Sequence, residues 1–234
     1  METEVELQRQ YYAKTATQYN DAHVCEGDEH YMGLSFLVGM LDFLNVESVL
    51  DVGSGTGRAI VYLAQKRPDI KIVGIEPVEE LRNIGYEQGM SREMLVGGDA
   101  LKLPFEAGSF DVVCAFGVLH HIRTPDKAIA EMLRVAKKGI FISDANNFGR
   151  GSKVSRLVKQ TLRAFGLWKV ATFITSKGKG YYESDGDGIA YSYSLFDSYD
   201  QIKASCKSVH LLNTVPSDKN LYRSASHIGL LGIK

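Results

Sequence analysis

Apolar and polar positions along this 234-residue chain follow three successive patterns. Through residue 45 the pattern is largely helical, and it is clearest from Asp28 to Leu44, where Met32, Phe36, Met40 and Phe43 recur at helical spacing. From Ser48 short apolar runs alternate with amphipathic stretches. The runs predict strands near 48–52, 70–75, 94–97, 110–116 and 139–144, and the stretches between them predict helices near 56–66, 78–88 and 125–137. The last helix has Thr124 as its N-cap and Pro125 in its first turn. Its Ala128, Ile129, Met132, Leu133 and Ala136 form one stripe for the sheet. This order implies an α/β fold with a doubly wound, parallel sheet. The alternation stops after Asp144, so residues 145–192 read as an insertion. Asp197 to Lys207 predicts a helix, and 209–215 and 225–233 predict two strands. These lie too close together for a crossover helix and should pair antiparallel. There is no internal repeat.

One junction carries most of the chemical information. The strand Val49-Leu50-Asp51-Val52 runs into Gly53-Ser54-Gly55-Thr56-Gly57, with a helix beyond. Glycine at every second position lets a ligand lie against bare backbone, and the helix offers unpaired N–H groups and the positive end of its dipole. The next strand ends in Glu76, where a carboxylate can take both hydroxyls of a ribose. The ligand is therefore an adenosine-containing cofactor. The dinucleotide fingerprint is G-x-G-x-x-G, whereas the spacing here is G-x-G-x-G with Asp51 two residues upstream. That carboxylate would repel a pyrophosphate and attract an ammonium group. Phe116 and Gly117 close the fourth strand, at the end that opens on the ligand crevice. His120 and His121 follow. Either could take a proton near neutral pH, or their ring N–H groups could cap the next turn. They have no supporting cluster for zinc, so no metal is expected.

Taken in order, these pieces resemble the class I S-adenosylmethionine-dependent methyltransferases, in the small-molecule, type 11-like branch. The glycine turn resembles the family's first motif and Gly74-Ile75-Glu76-Pro77 its acidic strand end. Gly97 to Phe105 resembles its adenine-binding segment, and Ser109 to Ile122 its fourth strand and following loop. Tyr11 to Asn20 is similar to an opening motif in which a helix ends in Tyr-Asp and folds over the cofactor. Here Asn20 stands in place of that aspartate, and Asp21 follows.

The resemblance implies a single Rossmann-like domain over 1–234, mostly parallel with an antiparallel last strand. Its parts would be an N-terminal helical lid (1–45), a cofactor-binding core (46–144), a substrate-cap insertion (145–192) and a C-terminal helix and strand pair (193–234). It also implies site roles. The backbone at Gly53, Ser54, Gly55 and Gly57 would meet the methionine part of the cofactor and Asp51 its amino group. Glu76 would hold the ribose, Pro77 and Val78 would pack on adenine, and Asp99 and Ala100 would bind the adenine edge. Tyr12 and Tyr19 would touch cofactor or substrate. The implied reaction is methyl transfer from S-adenosyl-L-methionine, leaving S-adenosyl-L-homocysteine, to O, N or C of a small molecule, with an anionic or phosphorylated acceptor among the candidates. Two readings stay open beside it: an NAD(P)-dependent oxidoreductase and a non-catalytic S-adenosylmethionine-binding scaffold.

Charge and cysteine usage refine this picture. The formal net charge is −1, which points neither to nor away from nucleic acid. The N-P-P-Y-type motif of amino-directed nucleic-acid methyltransferases is absent, which weighs against nucleic acid. The acidic start, Met1 to Glu6, does not read as a signal peptide, and no apolar run approaches the ~20 residues of a membrane span. Cys25, Cys114 and Cys206 show neither disulfide nor metal spacing, so the chain reads as cytoplasmic. Within the insertion, Arg150, Lys153, Arg156, Lys159, Arg163, Lys169, Lys177 and Lys179 are uninterrupted by any acidic residue. On a helix over 150–163 the first five share one broad face, with Val154, Leu157, Val158, Leu162 and Phe165 mainly on the other side. Such a helix either lays its apolar side on the sheet or meets an anionic substrate or surface. The aromatic, acidic and glycine-rich run 181–194 is expected to line the pocket over the reactive methyl.

Overall fold

The alternating apolar runs become a seven-stranded sheet in a computed structural model that describes residues 3–25, 27–215 and 220–234. Met1 and Glu2 of the acidic start, Glu26 of the 1–45 segment and residues 216–219 lie outside the described residues. The strands are β1 (Ser48–Val52), β2 (Lys71–Glu76), β3 (Leu95–Gly97), β4 (Phe110–Phe116), β5 (Ala136–Ala145), a short hairpin of β6 (Tyr182–Ser184) and β7 (Gly188–Ala190), then β8 (Ser208–Asn213) and β9 (His227–Ile233). The large sheet runs β3-β2-β1-β4-β5-β9-β8. Its first five strands are parallel, and β9 lies antiparallel between β5 and β8. The expected mostly parallel sheet with a reversed last strand is what forms. Strand order switches direction between β1 and β4, and such switch points leave a crevice at the carboxyl ends of the strands.

Helices α1 (Glu4–Thr15), α2 (Tyr19–His23) and α3 (Glu29–Leu41) precede the sheet. Helices α4 (Arg58–Lys66), α5 (Glu79–Glu87) and α6 (Pro125–Val135) connect its strands. Helices α7 (Lys153–Ala164) and α8 (Trp168–Thr175) occupy the insertion, and α9 (Tyr199–Ser205) leads into the final strand pair. All seven residues of β4 are buried, because one core covers each face of the sheet. Ala128, Ile129 and Met132 of α6 build one core, and Leu34, Leu37, Ile60 and Leu63 of α3 and α4 build the other.

Three local readings change. Helix α3 starts at Asp28, whose carboxylate accepts the His30 and Tyr31 amides at 2.8 Å each. Yet its buried stripe is Gly33, Leu34, Leu37 and Leu41, while Met32 and Phe43 are exposed. The helix is apolar on nearly every side, so spacing alone did not choose its face. At α6, Pro125 occupies the first turn as expected, but the Thr124 side chain makes no capping bond. Helix α7 is turned the opposite way from a core helix. Gln160 Nε2 donates to the Phe148 and Arg223 carbonyls at 3.1 and 3.0 Å, and Arg163 pairs with Asp197 at 2.6 Å. Those bonds hold the polar side against the body. Val154, Leu157, Val158 and Phe165 therefore face outward, and the sheet-covering alternative fails.

Candidate functional site

At the crest of β1 the chain turns through three left-handed glycines, Gly53, Gly55 and Gly57. The Gly53 and Ser54 amides donate to the Ile75 carbonyl at 2.8 and 3.1 Å, which ties the turn to β2. A Cβ on Gly55 would come within 2.5 Å of the Tyr19 hydroxyl, so the ring from the N-terminal segment lies directly on this bare backbone. A Cβ on Gly57 would meet the Met90 side chain at 2.3 Å, so that glycine serves packing. Asn20 completes the closure by accepting from Thr56 Oγ1 at 2.5 Å.

Two carboxylates flank the turn. Glu76 accepts the Gly55 amide at 3.0 Å on one oxygen and the Val78 amide at 2.9 Å on the other. Each oxygen keeps a second lone pair for a diol. Burial raises Glu76 to about 7 despite those bonds. Asp51 is 2% exposed and makes no ion pair among the described residues; the Cys114 thiol, buried as expected for a core residue, donates weakly to it at 3.8 Å. Burial raises Asp51 to about 6. Arg58 lines the same small compartment as Asp51, but its guanidinium is taken by Asp28 and the His23 carbonyl. The buried Asp51 carboxylate therefore suits a ligand that brings a cation of its own.

These groups open on a cleft of about 1020 Å³, counting its mouth. Among the expected site residues Tyr12, Tyr19, Gly53, Glu76, Pro77, Val78, Asp99, Ala100, Phe116, Gly117 and His121 line it. Asp51 and Ser54 line a smaller compartment of about 300 Å³, which shares Tyr19, Gly53 and Phe116 with the cleft. Gly55, Gly57 and His120 line neither. The remaining wall comes from Val5, Gln8, Arg9, Leu101, Val118, Ile122, Arg123 and neighbours. No residue of the 181–194 run lines the cleft, contrary to expectation, because α1 lies between them. Gln8 and Tyr11 of α1 donate to the Asp187 and Asp185 carbonyls at 3.1 and 2.7 Å, which pins the hairpin behind the helix. Asp99 accepts the Leu101 amide at 2.8 Å and pairs with Arg9 at 2.7 Å.

The paired histidines hold different positions. His120 places Nδ1 2.8 Å from Asp144 and Nε2 3.3 Å from Asp187. Burial opposes its charge, but the two carboxylates outweigh burial and raise it to about 9. Asp144, at the end of β5, also accepts the Val118, Leu119 and Ala145 amides. Burial works against its ionisation, yet His120 and these amides lower it to about 2. His121 Nδ1 lies 2.6 Å from the Ile189 carbonyl. A carbonyl only accepts, so Nδ1 carries the proton. His121 Nε2 meets the Tyr12 hydroxyl at 3.2 Å and Asp187 at 3.3 Å. Burial resists ionisation of Asp187, but hydrogen bonds from both histidines hold it far below the usual carboxylate range. His120, His121 and Asp187 also offer one metal-ligand atom each within 4.8 Å of one another. The third member of this cluster comes from the insertion and was not foreseen beside the histidine pair.

Sequence reasoning missed Asp144, Gln8, Arg9 and His30. Asp144 had a usable signal, an acidic residue ending a parallel strand. His30 had none; it is buried beside Phe116 and near Ser143 (3.3 Å), and burial lowers it to about 3.

A family model described as "Methyltransferase domain" matches residues 50–143. Norajmaline N-methyltransferase of Rauvolfia serpentina is 36% identical over 98 residues, which are 40% of this chain and 33% of that protein. Demethylmenaquinone methyltransferase of Roseiflexus castenholzii is 38% identical over 91 residues, 38% of each chain. The chain thus aligns with little more than a third of the length of these relatives. Among solved structures, magnesium protoporphyrin IX methyltransferase from Synechocystis, with bound S-adenosylhomocysteine, superposes with a TM-score of 0.61 at 16% identity over 97% of both chains. That likeness is one of fold.

Proposed function

The chain carries, over residues 50–143, the methyltransferase domain of the class I S-adenosylmethionine-dependent family, type 11 branch, and on that premise we propose that it methylates a small-molecule acceptor. One observation carries this reading: a buried carboxylate that makes no ion pair among the described residues, Asp51, stands beside a glycine turn whose amide reaches Glu76. That arrangement fits a nucleoside bearing an amino-acid tail. It does not fit a pyrophosphate.

Asp51 would meet the amino group, Glu76 the ribose hydroxyls, and Asp99 the adenine amino group once Arg9 yields. When bound, S-adenosylmethionine supplies an electrophilic methyl, so the protein mainly orients a nucleophile and excludes water. Tyr12, Tyr19 and α1 do the excluding. Acceptance at O, N or C follows from whichever nucleophile the cleft admits. Where the acceptor must lose a proton, His121, the histidine that lines the cleft, would take it on Nε2 once that nitrogen is released from Tyr12 and Asp187. His120, which lines neither compartment, is a positioning residue. Val5, Leu101, Val118 and Ile122 favour an acceptor with an apolar body. An anionic or phosphorylated group on it would pair with Arg123, which now holds Glu4. The names of both relatives specify small-molecule acceptors, which supports a small molecule over nucleic acid. Cytoplasmic placement fits three free cysteines.

The test pairs calorimetry with transfer. S-adenosylhomocysteine should bind and NAD should not. Label from methyl-labelled S-adenosylmethionine should then appear in members of a panel of apolar phenols, quinols and amines. Retention of NAD alone would overturn the cofactor assignment. Tight S-adenosylhomocysteine binding without transfer to any acceptor would favour a scaffold.

A further inference from the structure

We propose that the outward face of α7 and α8 docks on the surface of an anionic lipid bilayer. The observation is an inverted pair of amphipathic helices. Val154, Leu157 and Phe165 on α7 and its C-cap, and Val170, Phe173 and Ile174 on α8, all face solvent, Phe165 at 75% and Ile174 at 69% exposure. The two helices are in contact with each other, and each is bonded to the body through its other side. On α8 the inner side is Trp168 and Thr172: Trp168 Nε1 donates to Ser192 Oγ at 3.0 Å, and its ring meets Phe148 at 5.3 Å. The apolar surface is therefore fixed in place. A single exposed leucine needs no explanation, but six exposed apolar side chains on two touching helices do.

Charge chooses the occupant. No acidic residue lies between Arg150 and Lys179. Lys159 is satisfied by the Arg150 carbonyl, Arg163 by Asp197 and Lys179 by Glu183. Arg150, Lys153, Arg156 and Lys177 make no side-chain hydrogen bond or ion pair among the described residues, and Lys169 has only the field of Asp197, which Arg163 already holds; all but the half-buried Arg156 are exposed. A second copy of the same face would set those cations against their equals. RNA would meet the cations but leave valine, leucine and isoleucine wet. A bilayer with anionic headgroups satisfies both, with apolar side chains at the headgroup–acyl boundary and lysine and arginine on the phosphates. No helix among the described residues is long and apolar enough to cross a membrane, so the contact is peripheral. Such docking would place the enzyme beside acceptors dissolved in lipid. The docking stands without that consequence and without the methyltransferase reading.

The full chain is sedimented with phosphatidylcholine vesicles and with vesicles that also contain phosphatidylglycerol. It should pellet with the mixed vesicles at low salt and be released by salt. Arg150→Gln with Lys153→Gln, both exposed, should weaken binding roughly twenty-fivefold, about fivefold for each charge near the surface. Leu157→Asp with Phe173→Asp should abolish it. Both double variants should keep the parent's melting temperature and S-adenosylhomocysteine affinity, since none of the four residues lines the cleft. The lysine–arginine variant changes only polar surface, so the test survives even where the aspartate variant fails to fold. No binding to mixed vesicles at low salt overturns the proposal. So does binding that the lysine–arginine variant leaves intact. Self-association abolished by the aspartate variant, with no vesicle binding, assigns the face to a dimer instead. Binding to polyuridylate but not to vesicles assigns it to RNA.

Discussion

Asp51 is buried with only weak hydrogen bonding, and its isosteric amide makes a clean probe. At about pH 8 Asp51→Asn removes a buried charge, so the ligand-free protein should melt higher than the parent. Affinity for S-adenosylhomocysteine should fall roughly ten- to hundredfold, the range for a lost hydrogen bond between charged groups. Thermal melting and calorimetry on one sample read both, and unchanged affinity would remove Asp51 from the amino-group site. His121→Gln should leave cofactor affinity intact and lower kcat roughly 10²-fold for acceptors that must be deprotonated, and much less for amines. An equal loss for both acceptor types would make His121 structural. At this scale the sequence was most informative where one residue type has one physical use. Glycine at left-handed φ and a carboxylate at a strand end could be read directly. The partners of His120 could not be, because Asp144 and Asp187 reach it from 24 and 67 positions away.

Between elements, the decisive contact is that of the β6–β7 hairpin with α1 and the histidine pair. Asp187 bridges both histidines and accepts the Tyr12 hydroxyl at 3.0 Å, and the Gln8 side chain bonds the Ile189 amide and the Asp187 carbonyl. The hairpin therefore braces the loop that carries the two histidines from behind. Asp187→Asn should loosen it by roughly 1–2 kcal/mol, at the lower end for a charged hydrogen bond because the carboxylate is partly exposed. Hydrogen exchange at the Gly188–Ala190 amides should speed up accordingly, and unchanged protection there would show that α1 alone holds the hairpin. Strand positions were legible because a buried parallel strand must be continuously apolar. Faces were less so. In α3 every side is apolar, and in α7 the stripe is plain but its direction is set by Gln160 and Arg163, whose partners lie on distant segments. The insertion as a whole has no alternation because its elements pack on the body through polar contacts.

Across the molecule, the shifted groups predict opposite pH responses for the empty and the loaded protein. His120, raised to about 9, contributes stability present below its unfolded value near 6.5 and lost as pH rises through 9. Glu76 and Asp51, raised to about 7 and 6, likewise favour the empty fold when protonated and disfavour it above those values. His30, lowered to about 3, acts in reverse: its contribution is present above 6.5 and lost as pH falls toward 3. Asp144, lowered to about 2, is lost only below its unfolded value near 4. Above about pH 4.5 the two raised carboxylates outweigh the single His30, and His120 adds to the loss above 6.5, so the ligand-free melting temperature should fall gently from about pH 4.5 and on toward pH 9. On the proposed binding mode Asp51 must be ionised to meet an ammonium, so affinity should weaken about tenfold per pH unit below 6. The melting-temperature increment from saturating S-adenosylhomocysteine should therefore grow between about pH 5 and 8, while the ligand-free melting temperature falls. Asp51→Asn should flatten the increment, and His120→Gln should remove the alkaline decline without touching the increment. An increment independent of pH in the parent would mean that the buried carboxylate is not what greets the cofactor's amino group.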